Sequence, residues 1–84
     1  MQITFKLYAS LTEYLPADRR TSNWMALDVE RDAAIASIIA PFKLPMKLVH
    51  LVLINGVFVP PEERATRTLA EGDVLAIWPP IAGG

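Results

Sequence analysis

The sequence contains no cysteine among its 84 residues. A chain without thiols forms no disulfide, ligates no iron–sulfur cluster and offers no cysteine nucleophile. Zinc fingers, which depend on cysteine thiolates, are excluded for the same reason. We therefore expect the domain to be held together by its hydrophobic core alone, because nothing covalent reinforces it.

Histidine and glycine are also scarce, with one and four copies. His50 has no acidic or histidine partner near it in the sequence, so neither a general base nor a metal site is predicted there. The four glycines are spread over Gly56, Gly72, Gly83 and Gly84, and no glycine-rich loop can cradle a phosphate. We predict no catalytic residue and no metal ligand, and we interpret the chain as a protein that is not an enzyme.

No charge of one sign is in excess, since 8 basic and 9 acidic residues give a net charge of -1. Nucleic-acid-binding domains usually carry clustered Lys and Arg, so no nucleic-acid partner is expected. No apolar run, including that from Leu51 to Ile54, approaches the length of a membrane span. The first residues lack the basic and apolar segments of a secretory signal. We expect a cytoplasmic protein without a membrane partner.

Hydrophobic residues are plentiful, at 52% of the chain. This content suits one small folded domain, and the length is too short for two. Periodicity predicts five strands, at residues 2–8, 24–29, 48–54, 57–59 and 74–78. The third is almost continuously apolar, which is typical of a strand covered on both faces. Asn55-Gly56 between the third and fourth strands predicts a hairpin.

One main helix is predicted after the second strand. Asp32 is expected to be its N-cap. An apolar stripe follows at helical spacing, formed by Ile35, Ile38, Ile39 and Phe42. Pro41 is incompatible with a regular helix through this stripe, so we expect the helix to end near Ala40.

A shorter helical turn is predicted between the first two strands. Ser10 and Glu13 have the spacing of a capping box, and Pro16 is expected to end the turn. The polar residues 17–23 and 62–68 predict loops.

The number and order of these elements define the expected fold class. One helix covers only one face of a sheet, so we expect an α+β domain over residues 1–78 whose other face is partly open to a partner. The first and last strands, at 2–8 and 74–78, are expected to be neighbours at the centre of a mixed sheet. This layout is that of a ubiquitin-like β-grasp.

The segment after the last strand is predicted to be an extended carrier tail, residues 79–84, made of Pro79, Pro80, Ile81, Ala82, Gly83 and Gly84. The two prolines cannot donate ladder hydrogen bonds and favour an extended path away from the domain. The two glycines have no Cβ, so a narrow channel can admit the backbone. A carboxylate at Gly84 is thereby suited to attack a bound nucleotide.

Four segments of the chain resemble one known family. The most specific is the ending Ile77-Trp78-Pro79-Pro80-Ile81-Ala82-Gly83-Gly84. The others are Leu53-Ile54-Asn55-Gly56, Leu69-Ala70-Glu71-Gly72-Asp73, and Leu7-Tyr8-Ala9-Ser10-Leu11 with Leu15-Pro16. Together they resemble the MoaD/ThiS sulfur-carrier family. The double proline is more similar to the small subunit of molybdopterin synthase than to the thiamin carriers.

The resemblance implies that an E1-like adenylyltransferase uses ATP and magnesium to adenylate the carboxylate of Gly84. A sulfur donor then displaces AMP and leaves a thiocarboxylate. An acceptor enzyme, similar to the large subunit of molybdopterin synthase, would take the sulfur in molybdenum or tungsten pterin cofactor synthesis. The chain itself would be a protein cosubstrate with no permanently bound cofactor. A thiamin-pathway carrier, a ubiquitin-like protein modifier and a plain binding domain are the alternatives.

Three side chains are predicted to contact partners: Trp78, Phe58 and His50. Trp78 directly precedes the tail and is either a core residue or an anchor for a partner, since aromatic side chains are enriched at interface hot spots. Two successive partners would use the same tail, so we expect a modest apolar patch rather than a permanent interface.

Overall fold

The structure is a computed structural model that describes residues 1–80. Its five strands are β1 (Gln2–Leu7), β2 (Trp24–Asp28), β3 (Leu51–Ile54), β4 (Val57–Phe58) and β5 (Val74–Trp78). The one α-helix in this part of the chain is α1 (Ile35–Ile39). Short 3-10 helices cover Ala9–Tyr14, Ala17–Arg19, Ala40–Phe42, Met46–Leu48 and Pro61–Glu63.

The strands form one sheet in the order β2-β1-β5-β3-β4. β1 and β5 are parallel neighbours, with Thr4 opposite Val74 and Leu7 opposite Ile77. The other three pairs are antiparallel. The predicted mixed sheet and the predicted pairing of its first and last strands are therefore confirmed, and β2 and β4 are its edges.

The core lies on the sheet face that α1 covers. The buried side chains that the two central strands direct to this face are Ile3, Phe5, Leu7, Leu75 and Ile77. The predicted stripe packs on them, since Ile35, Ile38 and Ile39 are buried and the ring centroids of Phe5 and Phe42 are 4.5 Å apart. Each such side chain contributes about 1.5–3 kcal/mol of hydrophobic free energy. The expected α+β class, with one helix on one face of a β-grasp sheet, is confirmed.

The start of α1 differs from the prediction. Asp32 is not the N-cap: it has a left-handed φ of 67°, and the helix begins at Ile35 without a side-chain cap. The N–H groups of Ile35 and Ala36 donate instead to the carbonyls of Arg67 (3.0 Å) and Arg64 (3.1 Å). A loop remote in sequence thus satisfies the donors that the first turn of a helix leaves free.

The end of α1 confirms the effect of Pro41. The last α-helical residue is Ile39, and the 3-10 turn Ala40–Phe42 follows directly. Lys43 then adopts a left-handed φ of 58°. This conformation turns the chain away from the helix, as a C-terminal left-handed residue commonly does.

The first 3-10 helix confirms a helical turn before Pro16, but the predicted capping box is wrong. The turn begins at Ala9, whose φ is 52°, and no side chain caps it. Ser10 lies inside the turn, where its side chain cannot occupy the capping position.

β3 is shorter and less covered than predicted. It begins at Leu51, because the preceding residues form the 3-10 helix Met46–Leu48 after Pro45. Val52 and Ile54 are buried, whereas Leu51 and Leu53 are half-buried on the other face. The strand is apolar on both faces, but the described residues cover only one of them.

β5 ends at Trp78, and the half-buried Pro79 and Pro80 follow it outside the sheet. Ile81, Ala82, Gly83 and Gly84 lie outside the described residues, so the extended tail stays a prediction. Within residues 1–80, the structure has no helix with the length and apolar character needed to cross a membrane.

Candidate functional site

The sheet face that α1 leaves uncovered carries a row of largely apolar side chains, here called the open face. The strand register places five residues side by side in this row: Trp24, Lys6, Ala76, Leu53 and Phe58. Directly opposed residues in a sheet project to the same face. Trp24 and Phe58, at the two edges, are 43% and 49% exposed. The row therefore offers aromatic surface to a partner at both edges of the sheet.

Trp78 lies at the end of the open face where the tail begins. Its ring is stacked on that of Tyr8, with centroids 3.9 Å apart and planes 7° from parallel. Leu51 lies opposite Trp78 on β3. All three side chains are half-buried. Trp78 is therefore outside the core, and its aromatic surface forms the root of the tail.

Backbone hydrogen bonds fix the position of this root. The N–H of Tyr8 donates to the carbonyl of Ile77 (3.1 Å), and the N–H of His50 donates to the carbonyl of Trp78 (3.2 Å). Trp78 is thus held by a backbone hydrogen bond from His50, which precedes β3, and by the stacking of its ring on Tyr8, which follows β1.

Arg64 in turn holds the segment before β3. Its Nη2 donates to the carbonyl of His50 (3.0 Å), its Nη1 to that of Val49 (3.1 Å) and its Nε to that of Val59 (3.2 Å). Sequence reasoning missed this residue, because an arginine in a polar loop gives no local signal of carbonyl partners 14 and 15 residues away.

The guanidinium of Arg64 stays charged although it is partly buried. Burial lowers the pKa of its guanidinium, and the carboxylate of Glu62 acts in the opposite direction. Arginine titrates so far above neutrality that the group stays protonated. Hydrogen bonds from a charged donor are stronger than those between neutral groups. Arg64 therefore contributes rigidity to the tail root through His50.

The structure brings two of the three predicted partner residues together. Trp78 and Phe58 both belong to the open face. His50 is exposed and precedes β3, so the strand register does not place it in the row of the open face. Its established contribution is its backbone bond to Trp78. The partner contacts of these three side chains stay predictions, as does the role of the tail residues 81–84.

The Asn-Gly and Gly-Asp turns lie at the other end of β5. Asn55 Nδ2 donates to Asp73 Oδ1 (2.9 Å), and Asn55 Oδ1 accepts from the N–H of Val74 (2.8 Å). Asp73 Oδ2 accepts from the N–H of Ala70 (2.8 Å). Asn55 and Gly56 have φ of 51° and 82°, which suits a tight hairpin. These turns fix the register of β5 and belong to the scaffold.

No metal centre is formed in the described part of the chain, where no three Asp, Glu or His side chains gather in a suitable group.

Comparisons with solved structures support the fold over the whole chain. SAMP1 from Haloferax volcanii has a TM-score of 0.69 and 24% identity, with full coverage of both chains. The Haloferax volcanii HVO 2177 protein has a TM-score of 0.76 and 22% identity, covering 100% of this chain and 87% of that chain. A chain from the complex of subunits 1 and 2 of Molybdopterin-converting factor from Helicobacter pylori 26695 has a TM-score of 0.64 and 17% identity, with full coverage of both. At these identities the likeness is one of fold.

The sequence itself identifies the family. A search of curated proteins finds no match. The profile of the family described as Mut7-C ubiquitin matches residues 1–82. The expected relationship to the β-grasp proteins of the MoaD/ThiS type is confirmed at the level of fold, and the chain belongs to the Mut7-C ubiquitin family.

Proposed function

We propose that this chain is a ubiquitin-like sulfur carrier whose Gly84 carboxylate is activated and converted to a thiocarboxylate. The observation that carries the proposal is the connection between the domain and its tail. β5 ends at the aromatic stack of Trp78 on Tyr8, and the sequence continues as Pro-Pro-Ile-Ala-Gly-Gly. The chemistry requires a free carboxylate at Gly84, so the 84-residue chain is the form to test.

Activation would take place on an E1-like adenylyltransferase. A carboxylate oxygen of Gly84 attacks the α-phosphorus of ATP, pyrophosphate leaves, and an acyl adenylate forms. A sulfide-level donor then attacks the carbonyl carbon and displaces AMP, which is a far better leaving group than oxide. ATP and Mg²⁺ belong to the partner, and this chain supplies only a backbone group without a neighbouring Cβ.

The open face would dock the partners in turn. Trp78 and Phe58 offer aromatic surface of the kind that anchors interfaces. A face that serves an activating enzyme and then an acceptor must release each of them, which favours a small interface. The acceptor that we propose resembles the large subunit of molybdopterin synthase, and the sulfur would enter a molybdenum or tungsten pterin cofactor. A fold relative solved as part of a two-subunit Molybdopterin-converting factor supports this choice.

The test is to incubate the 84-residue chain with an E1-like enzyme, ATP, Mg²⁺ and sodium sulfide. Intact mass should show one oxygen replaced by one sulfur, and isotope exchange between ATP and pyrophosphate should depend on the chain. A chain with a C-terminal amide at Gly84 is the matched control, because it differs only in lacking the carboxylate. Exchange without sulfur incorporation would exclude the carrier chemistry, and equal exchange with the amide would exclude Gly84 as the site.

A ubiquitin-like modifier is the second candidate. The Haloferax volcanii small archaeal modifier protein 1 shares the fold, with a TM-score of 0.67 and 23% identity. In this case a lysine amine would attack the carbonyl carbon of the Gly84 adenylate, displace AMP and form an isopeptide bond. Adducts that survive thiol reductants and give a Gly84–lysine linkage after proteolysis would favour the modifier. A thiamin-pathway carrier would form the same thiocarboxylate and is distinguished by the acceptor that removes its sulfur.

A further inference from the structure

The outer side of β2 is a free strand edge. β2 is an edge strand of the sheet. Directly after it, the N–H of Val29 donates to the carbonyl of Met1 and the amino group of Met1 donates to the carbonyl of Val29, both at 2.8 Å. In an antiparallel ladder the residues that bond to the partner strand alternate with residues that do not. The N–H and carbonyl groups of Trp24, Ala26 and Asp28 therefore point away from β1. No other strand of residues 1–80 pairs with them, and the carbonyl of Trp24 accepts a long hydrogen bond from Ser22 Oγ (3.5 Å).

An apolar groove of about 320 Å³ lies beside this edge, between β2 and α1. Its apolar lining consists of Leu27, Val29, Ala33, Ile38, Pro41 and Phe42. Leu27, which lines the groove, lies between Ala26 and Asp28 along β2. The backbone N–H and carbonyl groups of these two neighbours have no strand partner. Hydrogen-bonding groups and an apolar groove are thus adjacent over the same stretch of chain, which is the combination that strand addition requires.

The charges around the groove are acidic. Asp28 and Glu30 line it, both are exposed, and no basic residue is part of the lining. Within residues 1–80 the single ion pair joins Arg19 and Asp18, so neither groove carboxylate is neutralised there. A segment that binds here gains from carrying Lys or Arg.

We propose that this edge and groove bind an extended segment of a partner protein, which adds a strand to β2. Alternate aliphatic side chains of the segment enter the groove, and a Lys or Arg beside them faces Asp28 or Glu30. Asp28 lies opposite Gln2, at the end of the sheet remote from Trp78, and the groove is on the side of α1. The tail root and the part of the open face from Lys6 to Phe58 can therefore be in use while the partner segment is bound, and Trp24 at the β2 edge is the residue that both surfaces share. The proposal is independent of the carrier chemistry.

A second copy of the chain fits this surface less well. If two β2 strands paired antiparallel with Ala26 opposite Ala26, Ser22 of one copy would lie opposite Glu30 of the other. No basic residue would then face that carboxylate. Met25 and Leu27 of the added copy already pack against its own core, so they would not fill the groove. The other sheet edge, β4, is only two residues long.

The direct test uses a fluorescein-labelled peptide, Gly-Lys-Lys-Val-Ile-Val-Leu-Thr-Gly, and the ¹⁵N-labelled 84-residue protein. Amide shifts should change at residues 24–30 and 37–42, and binding should weaken as salt is raised. The same peptide with Glu in place of both Lys should bind at least about fivefold more weakly, because it faces two carboxylates. In an added strand, every second N–H of the peptide faces β2 and donates to it. N-methylation of those amides should abolish binding, whereas N-methylation of the intervening amides should not.

A matched pair of variants tests the groove itself. Ser37→Arg places a long cation in the groove, whereas Ala36→Arg places it on an exposed part of α1 that does not line the groove. The first should weaken binding of the basic peptide at least about tenfold and the second should leave it nearly unchanged. Amide exchange shows that both variants are folded before they are compared.

Equal weakening in the two variants would overturn the proposal, as would shifts confined to the open face at Leu53, Phe58 and Trp78. Failure of the basic peptide to bind would also overturn it. Sedimentation that shows a dimer, with shifts at residues 24–30 that follow protein concentration instead of peptide, would assign the edge to a second copy.

Discussion

Trp78 is the residue at which the open face and the tail meet. Its position before Pro79 is evident from the sequence, but its partner is not. Tyr8 lies near the other end of the chain, and only the parallel pairing of β1 and β5 brings the two rings to 3.9 Å. Sequence patterns report neighbours along the chain, so a stack between its two ends carries no local signal.

Replacing Tyr8 should test the support that it gives to the tail root. Tyr8→Ala should lower the free energy of unfolding by about 1–2 kcal/mol, because stacking energy and buried area are both lost. Tyr8→Phe keeps the ring and should change it by less than about 0.5 kcal/mol. Urea titration measures both, and Trp78 emission, read in a Trp24→Phe background, should shift to the red only in Tyr8→Ala. Equal losses in the two variants would assign the effect to the hydroxyl instead.

The bridge between Asn55 and Asp73 gives a second prediction at this scale. Asn55→Gly removes the amide while accommodating the positive φ of 51°, and Asp73→Ala removes the carboxylate. Each should cost about 1 kcal/mol of unfolding free energy, and a double-mutant cycle should give a coupling of about 0.5 kcal/mol or more. Additive losses would show that the two side chains act separately. Thr66→Ala, on an exposed turn, is the control.

At the scale of the elements, several were predicted from short stretches of sequence because their determinants are local. Pro41 ends α1, the Asn55-Gly56 turn joins β3 to β4, and alternation defines β1 and β5. One of the errors, the predicted cap of α1, occurs where a segment remote in sequence takes over. The first N–H groups of α1 donate to the loop carbonyls of Arg64 and Arg67, so Asp32 is not needed as a cap. Nothing in the local pattern around Asp32 could reveal these acceptors.

Arg64 gives the prediction that belongs to this scale, because it joins a loop to the start of β3. Arg64→Lys keeps the charge but cannot reach three carbonyls with one ammonium group. We expect a loss of about 2 kcal/mol in unfolding free energy, since carbonyls lose charged partners. Amide hydrogen exchange should quicken at His50 and Leu51. Arg67→Lys is the matched control, and an equal loss there would contradict a special role for Arg64.

At the scale of the whole molecule, the two proposed surfaces lie on opposite faces of the sheet and meet at the edge strand β2, where Trp24 belongs to the open face. The tail root is at the Trp78 end of β5, whereas the groove between β2 and α1 is at the end of Gln2 and Asp28. Composition and periodicity were sufficient to predict the fold class and one open sheet face. They did not reveal the groove, because it depends on how α1 crosses β2, and no residue pattern in either element specifies that distance.

Stability and the proposed activity depend on different parts of the chain. Every buried hydrophobic residue of the described part lies between Ile3 and Ile77. Deleting Gly83 and Gly84 should therefore change the unfolding free energy by less than about 0.5 kcal/mol and abolish thiocarboxylate formation. A chain with Ala at both positions has the same length and a free carboxylate, and it should be activated more slowly because each residue gains a Cβ. Sulfur on the shortened chain would contradict Gly84 as the site.

The parallel pairing of β1 and β5 also determines how the domain responds to force. The chain enters β1 at one end of the sheet and leaves β5 at the other. Bonds from Thr4 to Asp73 and from Tyr8 to Ile77 mark the two ends of this ladder. Tension between the N-terminal residues and the tail therefore shears its hydrogen bonds together instead of unzipping them one after another. An enzyme that draws the tail into a channel while the N-terminal residues are held would load this ladder in shear.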